Sequence, residues 1–455
     1  MSLSNIASDS SLGDLLKLVQ DAYVETMYKD YPLLKYAKKS LKKGSANGSV
    51  HDTGALERLL ILNGGPAAIQ AVNYNGDFAR KQSSLLKKLK AQPKFHVAHI
   101  EVPLRFMKIG RLTKKDKAEF LDAMDLEMKQ KMREAQQALN SELFRDGSGV
   151  LGVASATPVP ASNVMVVSIK NGNSDQGHVA MFKVRDIIKA YAADGTARTW
   201  NGSGSNLEFI ITAVDLVNKT VTLKGYNSSN LEGAAITSTS VVADDEFVRS
   251  GVSFVADASR SEWSQLCEEV TGLEALASSS KKVHNIDPAS TSQYICSEFD
   301  ASGAPFNPQF LQAGLSDCLT KSGQEIVRGI KGMVMSQNCY NQIVDLSESK
   351  KYFIDNVNDK DYNFQGIGFR SSFGNIVNIE IDPDCRDNRV FMVHPEFLEF
   401  HGDEFEIVDV GDGGVRLMPT TSGGYSQNAG AEMSQAAEMF ATHRPALIKI
   451  HNFTV

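Results

Sequence analysis

Residues 113–146 have the sequence TKKDKAEFLDAMDLEMKQKMREAQQALNSELFRD, in which apolar side chains recur every three or four positions. These apolar positions are Leu121, Met124, Met128, Met132, Ala135, Leu139 and Leu143. The spacing places them on one face of an α-helix, where methionines are typical of core packing rather than of a cofactor site. Thr113 or Asp116 can cap the first turn, and Gly147 follows where a helix stops. The pattern predicts one uninterrupted helix of about 30 residues, a rod about 45 Å long.

The chain before this helix is basic and extended. Residues 11–31 have the spacing of an amphipathic helix, and the Lys-, Gly- and Ser-rich stretch 35–49 is typical of an exposed arm. Residues 74–112 combine several lysines with an alternating run over 95–106, which predicts strands with one covered face. The lysines are Lys81, Lys87, Lys88, Lys90 and Lys94. We interpret 74–112 as an exposed two-stranded excursion whose edge needs cover.

The chain after Gly147 changes to short strands separated by turn signals, and then to mixed helices and strands. Strands are predicted at Val164–Ile169, Val179–Val184, Leu207–Val214 and Thr220–Leu223. They indicate a small barrel or sandwich that ends near Gly251. Helices are predicted at 260–283, 308–322, from Ser336 to about Leu346 and at Glu432–Phe440, and strands at Val377–Ile381, Val390–Val393 and Ala446–Phe453. The second of these helices opens with Asn307-Pro308, a favourable cap and first residue. The fold class is therefore α+β.

Composition excludes several classes of protein. The 455 residues are 42% hydrophobic and 22% charged, which is ordinary for a globular chain and unlike a disordered or fibrous one. We find no secretory signal and no apolar run of about 18 residues, so we expect no membrane partner. Cys267, Cys296, Cys318, Cys339 and Cys385 are scattered without CxxC spacing. This predicts free thiols in a reducing compartment rather than disulfides or a zinc site.

The net charge of -7 is unevenly distributed. Residues 1–117 hold 20 Lys and Arg against 10 Asp and Glu, a net of +10, whereas the remainder has a net of -17. A basic front can contact nucleic acid, can be a solvated face, or can lie on the acidic body of another copy of the chain.

No motif assembles a catalytic, cofactor-binding or metal-binding site, and we predict none of these. Gly147–Gly152 matches GxGxxG, but a helix precedes it and a strand follows, the reverse of a dinucleotide site. His394–Glu404 is rich in possible ligands, yet its Phe and Leu residues indicate a core anchor. Weaker candidates are Asp409 and Asp412 for calcium, His96 and His99 for a metal, and Lys35–Lys43 for phosphates.

Several short motifs, in this order, resemble the major capsid protein of tailed double-stranded DNA bacteriophages, with the Hong Kong 97-type capsid fold. They are Ala243-Asp-Asp-Glu-Phe-Val-Arg-Ser-Gly251, Thr271-Gly-Leu-Glu-Ala-Leu276, Val283-His-Asn-Ile-Asp287, Gly332-Met-Val-Met-Ser336, and Asp382-Pro-Asp-Cys385 with Arg389-Val-Phe-Met-Val393. One departure is Pro288, which stands where the family usually has a basic residue. The resemblance covers most of the chain.

The resemblance implies a division of the chain. It comprises an N-terminal arm (1–50), the start of a peripheral domain with an extended β-hairpin loop (51–112), a spine helix (113–150), a β-rich insertion (151–252), a peripheral helix region (253–284), an axial domain (285–420), and a C-terminal helix and strand (421–455). Some members of the family crosslink a lysine to an asparagine. Lys108 lies in the corresponding loop, but no asparagine partner or catalytic glutamate can be assigned.

The resemblance also implies a function. The family assembles hexamers and pentamers into icosahedral heads around the genome and has no substrate or cofactor. The implied location is the virion, after synthesis in the host bacterial cytoplasm. The implied partners are other copies of the chain, portal and scaffolding proteins, a decoration protein, and packaged DNA through non-specific contacts. The alternatives are an encapsulin-like bacterial compartment shell and, more remotely, an intracellular α/β enzyme.

Overall fold

The structure is a computed structural model. It describes residues 32–39, 49–50, 56–62, 85–91, 93–103, 130, 133–161, 163–170, 178–192, 194–198, 207–226, 240–250, 269–349, 353–357, 366–402, 406–407, 415–419 and 425–454. The predicted helix at 11–31 and the first part of the predicted long helix lie outside these residues, as do Lys81, Lys108, Cys267, Asp409 and Asp412. Within the described residues, the search for helices able to cross a bilayer finds none.

The described strands, in chain order, are β1 (Lys38–Lys39), β2 (Ser49–Val50), β3 (Leu56–Leu62), β4 (Leu85–Ala91), β5 (Lys94–Pro103), β6 (Val150–Val153), β7 (Val164–Ser168), β8 (Ile187–Tyr191), β9 (Glu208–Asp215), β10 (Thr220–Tyr226), β11 (Glu246–Arg249), β12 (Ser297–Asp300), β13 (Gly332–Met335), β14 (Phe353–Val357), β15 (Gly366–Arg370), β16 (Ile376–Ile381), β17 (Arg389–Val393), β18 (Leu398–Gly402), β19 (Glu406–Ile407), β20 (Val415–Pro419), β21 (Tyr425–Ala441) and β22 (Ile448–His451).

The described helices are α1 (Pro32–Tyr36), α2 (133–143), α3 (Leu273–Leu276), α4 (Pro308–Ser322), α5 (Gln324–Arg328) and α6 (Gln337–Ser349). Helices and sheets are thus mixed, as the α+β prediction requires.

Helix α2 is the described part of the predicted long helix. Leu139 and Leu143 on its predicted apolar face are buried, and Ala135 packs against the same core. Just beyond its end, Phe144 packs against Phe391 of β17 with ring centroids 6.4 Å apart. The predicted face is therefore confirmed over the described turns, while Leu121, Met124, Met128 and Met132 lie outside the described residues.

A seven-stranded sheet, the main sheet, forms the second half of the chain. Its order is β12-β22-β17-β13-β16-β15-β14, so the last strand of the chain lies between β12 and β17. Helix α4 begins as predicted: the Asn307 side chain accepts the Gln309 N–H at 3.0 Å, and Pro308 is the first residue. The helix buries Leu311, Leu315 and Cys318 in the core shared with the sheet.

A six-stranded sheet, the insertion sheet, has the order β6-β11-β8-β9-β10-β7. Its last strand in chain order, β11, ends at Arg249, near the predicted boundary. Three of its four predicted strands are confirmed. The prediction of a strand over Val179–Val184 is wrong, because Val179–Met181 form a 3-10 turn capped by His178. The cap satisfies a backbone donor locally, so the segment does not need a neighbouring strand.

The predicted C-terminal helix at Glu432–Phe440 is also wrong, since these residues lie within β21. Glu, Met, Gln and Ala favour a helix in isolation. Here β5 pairs with β21 over ten positions, from Asn428 opposite Pro103 to Ala437 opposite Lys94. Strands β18, β19 and β20 also pair with β21. Long-range main-chain pairing on both sides therefore overrides the local preference.

The basic excursion differs from its predicted form over 74–112. Strand β4 pairs with β3, in a register from Leu56 opposite Ala91 to Leu62 opposite Leu85. The alternating strand β5 pairs instead with β21. Strands β3 and β4 form a basic ribbon, and β2 pairs with the other side of β3, so this sheet has three strands and begins at Ser49. The cover for β5 comes from the C-terminal part of the same chain.

The helix predicted over 260–283 is reduced to α3, while 260–268 lie outside the described residues. The side chain of Arg444 explains the early end of α3. Its guanidinium donates to the carbonyls of Leu276 at 2.7 Å and Ala275 at 3.2 Å, so these acceptors are satisfied without another helical turn.

Part of the predicted exposed arm is packed on the body of the protein. Leu33, Leu34 and Tyr36 of α1 are buried, and the Tyr36 hydroxyl donates to Glu380 at 3.1 Å. Strand β1 runs parallel to β18. The prediction of exposure is therefore wrong for 36–37, and 40–48 lie outside the described residues.

Candidate functional site

The end of α2 meets the segment 269–276 at a very close backbone contact. A Cβ atom placed on Gly272 would lie 2.2 Å from the Arg145 carbonyl oxygen and 2.4 Å from that of Glu142. Only a glycine allows this approach, although its φ of -85° is open to any residue. Gly272 belongs to one of the motifs that carry the family resemblance, and its role is steric.

A cluster of buried ionisable groups surrounds this contact, and we call it the helix-end cluster. It contains His96 of β5, Glu142 and Arg145 at the end of α2, Glu269, and Glu438 of β21. His96 Nε2 lies 2.6 Å from Glu142, and Arg145 donates to Glu269 at 2.8 Å. Glu438 accepts the backbone N–H of Thr271 at 3.2 Å. The cluster therefore joins α2, β5, β21 and the 269–276 segment.

Burial and neighbouring charges shift the pKa values of the ionisable groups in this cluster in different directions. Burial disfavours the charged imidazole of His96, but Glu142 outweighs this effect and raises the pKa of His96. Burial also opposes ionisation of Glu142, yet His96 and Arg145 lower its pKa. Glu269 differs, since burial raises its pKa to about 7 and Glu142 adds to the effect, while Arg145 opposes it. Its second oxygen finds no hydrogen-bond partner among the described residues.

We expect Glu269 to make stability depend on pH. Its pKa is raised from 4.5 to about 7 by folding, so between these values the folded chain holds a proton that the unfolded chain has lost. The contribution of this group to the free energy of unfolding therefore falls as pH rises through the window, and is constant above it. Glu269→Gln removes the titration.

Thermal melts of wild type and Glu269→Gln at about pH 5 and about pH 8 measure this contribution. The wild type should lose stability relative to the variant between the two values. A difference between the two proteins that is the same at both pH values would contradict the assignment.

A second set of buried charges ties α3 to the main sheet. Arg389 of β17 donates to Glu274 at 3.0 Å, and the other Glu274 oxygen lies 3.4 Å from Lys449 of β22. Lys449 also lies 3.0 Å from Glu298 of β12. Arg389, Glu274 and Lys449 are at most 1% exposed, so no solvent screens them. We call this alternating series Arg389–Glu274–Lys449–Glu298 the ion ladder, and it carries two charges of each sign.

The described end of the basic ribbon is fastened to the body by β4. Leu89 is buried in a cluster with Ile286 and Tyr294. The Lys87 ammonium donates to the Thr291 hydroxyl at 2.5 Å, and Lys94 on β5 is 6% exposed. Lys87 and Lys94, which the sequence assigned to the exposed excursion, are therefore engaged within the chain. Lys90 is partly buried, and the Lys88 side chain lies outside the description.

The other residues highlighted by the sequence lie apart from one another. Gly147–Gly152 runs from the turn after α2 into β6, which is the polarity predicted for a structural exit. Leu398 and Phe400 are fully buried, which confirms the core-anchor interpretation for them, whereas Phe397 is only partly buried. No group of three or more His, Cys, Asp or Glu side chains converges as metal ligands in the described ranges. The four cysteines that the structure describes are buried free thiols.

Sequence analysis missed both the helix-end cluster and the ion ladder. Arg145 and Glu269 are 124 residues apart, and Arg389 and Glu274 are 115 apart. No spacing rule links such distant positions. The available signal was the resemblance itself, because its motifs include Gly272, Glu274 and Arg389.

The comparisons with known proteins are structural. No family model matches the sequence, and no curated protein matches it. A capsid structure of cyanophage A-1(L) is similar at 11% identity and a TM-score of 0.49, covering 93% of each chain. The capsid of an empty GTA particle is similar at 8% identity and a TM-score of 0.38, covering 92% of this chain and 95% of that one.

An encapsulin complex from Synechococcus elongatus PCC 7942 is similar over a smaller part. The identity is 9%, the TM-score is 0.24, and the match covers 37% of this chain and 55% of that one. Phage capsid proteins are thus among the structures similar to nearly the whole chain.

Proposed function

We propose that this chain is the major capsid protein of a tailed double-stranded DNA bacteriophage, which assembles hexamers and pentamers into an icosahedral head. The observation that carries the proposal is the order and joining of elements. In chain order the ribbon strands β3 and β4 precede α2, the six-stranded insertion sheet follows it, and the seven-stranded sheet comes last. The end of α2 meets β5, β21 and the 269–276 segment in the helix-end cluster, and the ion ladder joins α3 to the seven-stranded sheet.

The motifs of the resemblance support the proposal because their residues form contacts of the helix end and of the ion ladder. Gly272 allows the 269–276 segment to pack closely against the helix end, and Glu274 and Arg389 form the first ion pair of the ion ladder. The motif that ends at Gly251 includes β11, the last strand of the insertion sheet in chain order. Residues that were matched from the sequence alone therefore make contacts that join separate elements of the fold.

The seven divisions from 1–50 to 421–455 are part of the proposal, with a C-terminal strand in place of the helix. So are the remaining partners: portal and scaffolding proteins, a decoration protein, and non-specific contact with packaged DNA. The location is the virion, after synthesis in the host bacterial cytoplasm. The net charge of +10 on residues 1–117 against -17 on the rest supports contacts between copies, since complementary potentials fix register.

Electron microscopy of the purified full-length chain tests the proposal. We expect closed shells built of fivefold and sixfold clusters. Shells that enclose a host enzyme, encoded beside the gene, would favour the encapsulin-like alternative. A small oligomer that never closes, including when the chain is expressed with its genomic neighbours, would contradict the proposal.

A double variant, Lys88→Glu with Lys90→Glu, extends the same experiment to the ribbon. It retains Lys87, whose ammonium bonds to Thr291. We expect folded subunits and impaired shells, most strongly at low salt, where screening is weakest. Normal empty shells with a defect only in DNA packaging would place these lysines against the genome instead. Lys224→Glu, on β10 of the insertion sheet, is the matched control.

A further inference from the structure

An ion pair that needs a proton joins β5 to the end of α2. His96 Nε2 of β5 lies 2.6 Å from Glu142, and the same Glu142 oxygen accepts the backbone N–H of Val270 at 3.4 Å. Glu142 is 5% exposed, so water compensates little for the loss of a positive partner. The His96 side chain is 19% exposed, which gives protons a route to the pair. Because histidine ordinarily titrates near neutral pH, the contact of β5 with α2 depends on pH.

Glu269 is the second group of the helix-end cluster that holds a proton near neutral pH. Arg145 donates to Glu269 at 2.8 Å, and its charge also acts on Glu142. One guanidinium cannot neutralise two ionised carboxylates. Burial raises the pKa of Glu269 to about 7, with Arg145 opposing this effect and Glu142 adding to it. Glu142 therefore needs His96 as its own counter-charge.

The loss of both protons changes the charge balance of the cluster. While His96 and Glu269 are protonated, His96 and Arg145 balance Glu142 and Glu438, so two positive charges face two negative ones. Once both groups have lost their protons, Arg145 alone faces three carboxylates, a net of -2. Like charges that are buried together repel with little screening by solvent. The deprotonated cluster therefore favours separation of its elements.

Further charged and titratable groups surround the cluster, and they are engaged in contacts of their own. They form the pairs Arg249–Asp186, Lys281–Asp146 and His401–Glu399, which are 3.3, 3.1 and 3.2 Å apart. His284 lies 3.5 Å from Glu438 and stacks on Phe440, both of β21. These contacts lie on β21 and on the edges of the cluster, so they do not take the place of His96 beside Glu142.

The closed arrangement leaves polar atoms unsatisfied. Arg145 Nε and Nη1 and Glu269 Oε2 are buried without a hydrogen-bond partner among the described residues. A buried polar group in this state costs about 1–3 kcal/mol. Opening of the cluster lets water reach these atoms and regains part of the energy lost in breaking its contacts.

We propose that the helix-end cluster is a pH-sensitive switch, which holds β5 and the 269–276 segment on the end of α2 while His96 and Glu269 are protonated and releases them when both lose their protons. Strand β4 ends at Ala91 and β5 begins at Lys94, so opening loosens the base of the basic ribbon. The switch belongs to the subunit and does not require shell formation.

The direction of the switch follows from the sign of each shift. Folding raises the pKa of His96, where Glu142 outweighs burial, and that of Glu269, where burial dominates. Each group therefore contributes stability that is lost as the pH rises through its folded pKa. Glu142 has a lowered pKa, so its contribution is lost only as the pH falls through that value. The cluster is closed at weakly acidic pH and opens at weakly alkaline pH.

Hydrogen exchange of the full-length chain at about pH 6 and about pH 8.5, corrected for the intrinsic pH dependence of exchange, tests the switch. Peptides that span 94–103 and 269–276 should lose protection about tenfold at the higher pH, the equivalent of one pKa unit, while α4 keeps its protection. The double variant His96→Gln with Glu269→Gln should protect both segments equally at the two values. His451→Gln, which removes a similar pair 3.0 Å from Glu298, should respond like wild type.

Protection of both segments that is independent of pH in wild type would overturn the proposal. So would a pH response that persists in the double variant, or a loss that includes α4, since that is global unfolding rather than local opening. If the double variant fails to fold, the single variants His96→Gln and Glu269→Gln keep the test open. Each should retain only part of the wild-type response, and a full response in both would count against the switch.

Discussion

Gly272→Ala is expected to abolish the folded subunit. The added methyl carbon would lie 2.2, 2.4 and 2.8 Å from the carbonyl oxygens of Arg145, Glu142 and Leu143. All three are backbone atoms of the helix end, so no side chain can turn aside to make room. The segment must separate from the helix, which disrupts the helix-end cluster and the ion ladder together. We expect a loss above about 5 kcal/mol, comparable to the whole stability of many domains.

Soluble yield and circular dichroism of Gly272→Ala measure this effect. Gly303→Ala is the matched control, because its site is open, with no atom within 4 Å of an added Cβ. Its φ of +79° still penalises alanine, but only by about 1–2 kcal/mol. A soluble, folded Gly272→Ala subunit with wild-type stability would show that the close contact is not required.

Arg389→Met is the second substitution with a large expected effect. Wild type balances Arg389 and Lys449 against Glu274 and Glu298. Without Arg389, the buried Glu274 and Lys449 and the partly buried Glu298 carry a net negative charge. Breaking a buried pair from one side typically costs about 3–5 kcal/mol, since the remaining charge has lost its compensation in a medium that solvates it poorly. Chemical denaturation of the variant should show a loss of this size.

The double variant Arg389→Met with Glu274→Met separates charge balance from packing. It leaves Lys449 paired with Glu298 at 3.0 Å, so neutrality returns. We expect the double variant to recover most of the stability lost in Arg389→Met. The partly exposed pair of Lys189 and Glu208, 3.5 Å apart, is the control, and Lys189→Met should cost at most about 1 kcal/mol. Additive losses in the double variant would mean that the ladder does not act as a unit.

The sequence determined the elements whose signals are local. The start of α4 follows from Asn307-Pro308, where the cap and the fixed φ of proline act within one turn. Leu139 and Leu143 were assigned to a buried face from spacing alone, because a helix places residues four apart on the same side. Strands of the insertion sheet followed from β-branched runs between turns. In each case the decisive interaction lies within a few residues of the signal.

Only the tertiary structure decided the elements whose partners are far along the chain. Glu432–Phe440 has helical propensity, yet β5 and β18 hold it as a strand. The lysines of the excursion were predicted to be mostly exposed, yet Lys87 reaches Thr291, 204 residues away. The helix-end cluster and the ion ladder each join residues separated by a hundred positions or more. Composition and spacing report local preference, whereas these sites arise from backbone pairing and burial that exist only once the chain has folded.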